Sequence, residues 1–187
     1  RSATGSELPF AAGFSVAGVE GSQDADDAAL LAEAVEAARG AGTVLLFLGL
    51  PAPDESEGYD RTHLDLPANQ LAVLRAVAEV NDRVVVVLAN GSAVAVEWQD
   101  DAAAILETWL GGQAGGSAVA DLLLGVRNPS GKLAETIPHR VEDTPAFGNF
   151  PGDNGHVRYG EGVLIGYRWY DTRLVDVAYP FGHGLSY

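Results

Sequence analysis

Thr43-Val-Leu-Leu-Phe-Leu-Gly49 carries apolar side chains at odd and even positions alike from 44 to 48. A strand with that pattern is apolar on both faces, as central strands of covered parallel sheets are. Upstream, residues 24–39 have helical spacing: Leu30, Ala34 and Ala37, with Leu31 and Val35 beside them, form one apolar stripe. Ser22 or Asp24 is placed to cap this helix, Asp26 and Asp27 suit the positive end of its dipole, and Gly40 and Gly42 stop it. Downstream the pattern repeats. Residues 69–80 read as a helix with Leu71, Leu74 and Val77 on one face and Pro67 near its first turn. Residues 83–88 contain four consecutive valines, a second buried strand, closed by the turn Asn90-Gly91. A brief extended piece is expected at 93–96, a third strand at 103–110, a third helix at 116–124 and a fourth strand at 132–136. Alternating apolar strands and helices imply an α/β fold with a mainly parallel sheet.

The ends of the chain read differently. Residues 1–23 are rich in Gly, Ser and Ala and read as a lead-in or connector to a domain spanning 24–187; Phe10, Phe14 and Val16 could form a short strand there. From Pro138 onward the text is loops rich in Gly, Pro and aromatics, with one compact segment of unassigned type at 163–170. The 187 residues give room for one ordinary domain, and a hydrophobic fraction of 47% argues against disorder. Net charge is −15, so nucleic acid and anionic membranes are poor partners, while neutral and cationic ligands stay open. The longest apolar run, 43–50, falls well short of the roughly 20 residues a membrane helix needs. With Cys at 0 there are no disulfides, thiolate metal sites or cysteine nucleophiles. Met is also 0 and the chain opens at Arg1, so it reads as a fragment or processed chain whose localisation, secreted or cytoplasmic, is not written in it.

In doubly wound sheets, ligands bind beyond the carboxyl ends of the strands. The loop at 50–66 occupies that place and holds Asp54, Glu55, Glu57, Asp60 and Asp65 against Arg61 and His63. Carboxyls this crowded hold their protons more tightly, and an arginine beside one does the reverse. Carboxyls in unlike environments are what general acid–base catalysis uses. Gly58 permits a tight turn beside Glu57. The plainer reading is a solvated acidic loop whose Asp and Arg cap and brace each other, and a calcium site is disfavoured because the spacing is not that of an EF-hand.

From this loop onward the motifs resemble one family. Ser56-Glu-Gly-Tyr-Asp-Arg61, with Leu64-Asp-Leu-Pro67 and Gln70, looks like the second domain of glycoside hydrolase family 3, the β-glucosidase and β-xylosidase family. Val84-Val-Val-Val-Leu-Ala-Asn-Gly-Ser92, Trp109-Leu-Gly-Gly-Gln-Ala-Gly-Gly116, Asn128-Pro-Ser-Gly-Lys-Leu133, Tyr159-Gly-Glu-Gly162, Gly166-Tyr-Arg-Trp-Tyr-Asp171 and Pro180-Phe-Gly-His-Gly-Leu-Ser-Tyr187 follow in order, with Gly111 where the family usually has Pro. The resemblance implies a three-layer α/β/α sandwich and a retaining β-glycosidase acting on terminal non-reducing β-D-glycosyl residues. Retention uses two carboxyls about 5–5.5 Å apart, one a nucleophile and one an acid/base. In the family the nucleophilic Asp sits on a preceding (β/α)-barrel domain and the acid/base Glu on a loop of the second domain, at the position that Glu57 matches. Glu55 is the runner-up within the loop, and Asp60 and Arg61 are expected to brace the loop or to contact sugar.

The departures shape the expectation. The barrel, and with it the nucleophile, is not in this chain, and the opening helix and strand of the sandwich are also expected to be missing. The chain alone is therefore expected not to hydrolyse glycosides; its partners would be the barrel domain and a β-linked glucoside or oligosaccharide, with no cofactor. A non-catalytic carbohydrate-binding or interaction domain of the same fold is the alternative. His63, His139, His156 and His183 include no i, i+4 pair, so no metal site is expected, and His183, flanked by glycines, reads as structural. Ser186 lacks the Gly-x-Ser-x-Gly setting of a hydrolase nucleophile, and Gly111-Gly-Gln-Ala-Gly-Gly116 lacks the Lys of a phosphate loop. Trp98, Trp109, Tyr167, Trp169 and Tyr170 could stack on sugars but read first as packing residues.

Overall fold

The computed structural model describes residues 5, 7–22 and 25–187. The chain divides into two compact units: one comprises Arg1–Arg61, Leu66–Ser92 and Glu97–Arg127, the other Thr62–Asp65, Ala93–Val96 and Asn128–Tyr187.

The first unit is built on a parallel sheet of β1 (Val44–Gly49), β2 (Val84–Ala89) and β3 (Ala104–Glu107), in the order β1-β2-β3. The valine run holds the centre. Val84 and Val86 are 0% exposed, and Val87 and Leu88 are equally sealed. β1 lies at an edge of this sheet, not in its middle as its all-apolar sequence suggested. Leu48 is buried, but Phe47 is 57% exposed and Leu45 is also open to solvent. An apolar strand face records that something covers it, and among the described residues of the first unit nothing covers this one.

α1 (Asp27–Arg39) packs against α2 (Ala68–Ala78), whose Val73, Leu74 and Val77 are buried. The cap of α1 is Asp26, whose side chain accepts from Ala28 N at 3.0 Å. Ser22 instead accepts from Val16 N at 2.7 Å, and Asp24 lies outside the described residues. Asp27 accepts from Ser15 N at 2.7 Å and from Asn69 Nδ2 at 3.1 Å, which ties the lead-in to both helices. No strand forms at Phe10, Phe14 or Val16. Asn81 closes the other end of α1, donating to Ala38 O and Ala41 O at 2.9 and 2.8 Å. Gln70 grips Gly49 as a peptide would, accepting from its N–H at 2.9 Å and donating to its carbonyl at 2.8 Å. Glycine is required at 49, because a Cβ there would collide with the Ala89 carbonyl. α3 (Gly115–Leu123) follows β3 and buries none of its residues.

In the second unit the strand expected at 132–136 does not form. Leu133 N donates to His183 O and Gly182 N to Leu133 O, an irregular pairing with the C-terminal tail. The strand proper is β4 (Ile137–Pro138), antiparallel to β5 (Val177–Tyr179), and Pro138 has no N–H with which to extend the ladder. In the piece expected at 93–96 no strand pairing forms; Val94, Ala95 and Val96 are buried, and Ala95 N donates to Leu64 O at 2.8 Å. The unassigned segment at 163–170 ends in α4 (Tyr167–Arg173). Its Tyr170 is buried, and burial first, then the charges of Asp143 and Glu135, push the hydroxyl up to about 12. Trp169 Nε1 donates to Asp143 O at 3.2 Å, so both aromatics serve packing.

Two stability predictions follow from the first unit. In the 187-residue chain, Leu74→Ala lowers the unfolding free energy by about 2–5 kcal/mol, whereas Phe47→Ala costs about 1 kcal/mol or less; urea titration separates the two. Asp27 has its pKa lowered, first by the backbone hydrogen bond from Ser15 and then by the Ser15 and Asn69 side chains. A depressed carboxyl stabilises the fold above its unfolded pKa, and that stabilisation is lost as pH falls through the folded value. Asp27→Asn therefore flattens the fall in urea midpoint below about pH 4.

Candidate active site

Parallel pairing of β1 with β2 aligns Gly49 with Ala89. The loop that leaves β1 and the turn that leaves β2 consequently emerge side by side. Between them lies an open cleft of about 430 Å³, walled by residues 54–61 on one side and by Gly91, Ser92 and Leu110 on the other.

The two glutamates of the loop are placed differently. Glu55 is half-buried, and both of its oxygens are engaged: Oε2 accepts from Gly91 N at 2.8 Å and Oε1 from Ser92 Oγ at 3.1 Å. Glu57 is exposed and makes no hydrogen bond or ion pair among the described residues. A tight turn presents it, with Tyr59 N donating to Ser56 O at 3.3 Å and Gly58 at φ +80°. That positive φ is the reason for the glycine. Arg61 braces the loop by donating from Nη2 to Ser92 Oγ at 2.8 Å, while Asp60 is an exposed part of the cleft wall.

Beneath the turn sits a group the sequence did not single out. Asn90, 0% exposed, donates from Nδ2 to Ser92 O at 3.0 Å and to Glu107 Oε2 at 3.4 Å. Glu107 Oε1 in turn accepts from Trp109 N at 2.8 Å, and Trp109 is held at φ +53°. A left-handed tryptophan is uncommon, and here a carboxylate grips its N–H. The available signal was a lone carboxylate closing the apolar run of β3.

The remaining candidates lie elsewhere. His63 pairs with Asp65, its Nδ1 accepting from Asp65 N at 3.2 Å. His139 meets Asp176 at 3.3 Å, and the His183 ring lies 4.8 Å from that of Tyr179. Gly112 and Gly115 form the turn that opens α3, with Gly115 N donating to Gly112 O at 2.9 Å. Among the described residues no three His, Asp or Glu side chains converge on a metal-sized site, and no helix is long and apolar enough to cross a membrane.

An α/β unit with an acidic cleft at the carboxyl ends of its parallel strands is the setting of a ligand or catalytic site. The chain matches the glycosyl hydrolase family 3 C-terminal domain over residues 9–187, and it belongs to that family. It is 53% identical over 184 residues to an exo-α-(1→6)-L-arabinopyranosidase of Bifidobacterium longum, covering 98% of this chain and 24% of that protein. It is 51% identical over 164 residues to thermostable β-glucosidase B of Acetivibrio thermocellus, covering 88% of this chain and 22% of the other. Among solved structures, a family 3 β-glucosidase of Bifidobacterium adolescentis superposes with a TM-score of 0.92 at 53% identity, over 100% of this chain and 27% of that one. A β-glucosidase of Kluyveromyces marxianus in complex with glucose gives a TM-score of 0.83 at 41% identity, over 87% of this chain and 19% of its own. The α/β fold with its parallel sheet and the family membership expected from the motifs are thus shown. The chain spans about a quarter of the length of the curated relatives it matches, 24% and 22% for the two above.

Close packing across the cleft gives a prediction. A Cβ on Gly91 would stand 3.0 Å from Glu55 Oε1 and 3.0 Å from Leu110 Cδ1. Gly91→Ala is expected to push the Glu55 carboxylate off the amide of residue 91, raising hydrogen exchange at that amide about 10-fold or more while amides of β2 stay protected.

Proposed function

We propose that this chain is the part of a retaining β-glycosidase that supplies the acid/base carboxyl, Glu57, to a nucleophile carried on a (β/α)-barrel domain outside these 187 residues. The observation that carries the reading is the contrast within the loop. Glu55 has both oxygens committed to the neighbouring turn, whereas Glu57, two residues on, is held out from a glycine turn without a partner among the described residues. A group that must give a proton to an incoming oxygen and then take one from water needs that freedom. In the first step the nucleophilic carboxylate bonds to the anomeric carbon while the glycosidic oxygen leaves with the proton of Glu57. In the second, Glu57 accepts a proton from water as that water displaces the nucleophile, which regenerates both groups.

The relatives' names support a glycoside with an equatorial anomeric oxygen. β-D-Glucosides and α-L-arabinopyranosides share that geometry, and this chain is similar to relatives named for each at 51% and 53% identity. The substrate class we infer is a terminal β-D-glycosyl residue or a stereochemical equivalent. Exposed apolar side chains support a covering partner of the same enzyme. Phe47 in the first unit is 57% exposed; in the second, Tyr159 is 80% and Val163 86% exposed.

The test uses the full-length polypeptide that contains this chain. Glu57→Gln is expected to lower kcat/KM on alkyl glycosides and disaccharides by about 10²–10⁴-fold. On 2,4-dinitrophenyl glycosides, whose leaving group needs no proton, kcat/KM stays near the parent value while kcat falls, because water attack loses its base. Equal loss on both substrate types contradicts the assignment. The 187-residue chain by itself is expected to release no nitrophenol from an aryl β-glucoside.

A further inference from the structure

We infer that Ser92, together with Glu55, is the seat that sets where Glu57 can reach; this rests on the reading of Glu57 as the acid/base. The loop meets the turn after β2 at two places, one on each side of Glu57. On the N-terminal side Glu55 takes the Gly91 amide and the Ser92 hydroxyl, at 2.8 and 3.1 Å. On the C-terminal side Arg61 donates to the same hydroxyl at 2.8 Å. Ser92 Oγ therefore accepts from the guanidinium and donates to the carboxylate, a double duty that a hydroxyl, with one proton and two lone pairs, can perform. Both bonds involve a charged partner.

The turn is itself fixed from below. Buried Asn90 holds the Ser92 carbonyl and reaches Glu107 at the end of β3. A continuous set of hydrogen bonds thus runs from Glu107 through Asn90 and Ser92 to Glu55 and Arg61. Residues 56–60 bridge the two tethers, and among the described residues Glu57 and Gly58 within them have no tether of their own. The placement of Glu57 is consequently inherited from Ser92. The bonds that Glu55 and Arg61 make to the turn lie near the surface, where hydrogen bonds and ion pairs add little to stability. Their effect falls on geometry, and misplacing a reacting group by about 1 Å can cost about 100-fold in rate. Ser92 and Glu55 touch neither sugar nor reacting atoms in this scheme; they are positioning residues.

The experiment compares Ser92→Ala, Ser92→Thr and Glu55→Ala with Glu57→Gln in the full-length enzyme, on an alkyl and on a 2,4-dinitrophenyl glycoside. Ser92→Ala is expected to lower kcat/KM for the alkyl glycoside about 10- to 100-fold, with dinitrophenyl kcat/KM changed by less than about 3-fold on the same physical ground, that proton donation alone is misaligned. Ser92→Thr keeps the hydroxyl and restores the alkyl activity. Glu55→Ala, an independent variant on the partner side, reproduces the leaving-group-dependent loss. Equal loss on both glycosides, no loss on either, or no rescue by threonine overturns the inference. If Glu57→Gln itself shows no dependence on the leaving group, the acid/base reading falls instead, and the two failures are told apart within one data set.

Discussion

Burial of β2 between two parallel neighbours is the constraint on which the rest of the first unit depends. Val84, Val86, Val87 and Leu88 are all 2% exposed or less, so both faces of the strand are packed and its position between its neighbours is held from either side. The register it imposes sets Gly49 against Ala89, and the carboxyl ends of β1 and β2 then release their loops on the same side. Gln70 reinforces that end from α2 by hydrogen bonding both polar groups of Gly49. The cleft is a consequence of this alignment. Residues 36 apart in sequence, Glu55 and Gly91, come within 2.8 Å because two strands end level.

In the cleft, two carboxylates of one crowded loop are held differently. Hydrogen bonds to both oxygens fix the position of a carboxyl, and a carboxyl without such bonds can turn toward an incoming group. Glu55 is the first kind and Glu57 the second. The tight turn allows it by breaking the alternation that would set residues 55 and 57 on one side: one glutamate meets the neighbouring turn, and the other, two residues later, is exposed. Gly91 gives Glu55 its clearance, and Gly58 gives Glu57 its turn. Glu55, the runner-up acid by composition, has both oxygens engaged by the turn after β2.

Much of this was legible in the sequence because it is local. The valine run, the helices at α1 and α2 and the place of the acidic loop follow from periodicity and from where ligands gather in parallel sheets. The edge position of β1 was not legible, since an all-apolar strand announces coverage without saying what provides it. The strand predicted at 132–136 forms instead at Ile137–Pro138, because its partner, Val177–Tyr179, lies about 40 residues downstream, beyond the reach of a local pattern. The helix cap moved from Ser22 or Asp24 to Asp26 for the opposite reason: several polar residues could serve, and packing chose one. In the cleft, Glu57 was named from its motif and its turn. The roles of Ser92, Asn90 and Glu107 were hidden because each is defined by a partner on another strand end.

The measurement that tests the central claim most directly is chemical rescue of Glu57→Ala in the full-length enzyme by azide, with a dinitrophenyl glycoside as substrate. Removing the acid/base opens space at the face from which water attacks, and an anion that needs no base can enter there. The account predicts restored turnover and a glycosyl azide of retained anomeric configuration. An azide of inverted configuration would make Glu57 the nucleophile, and no rescue at all would remove it from the chemistry.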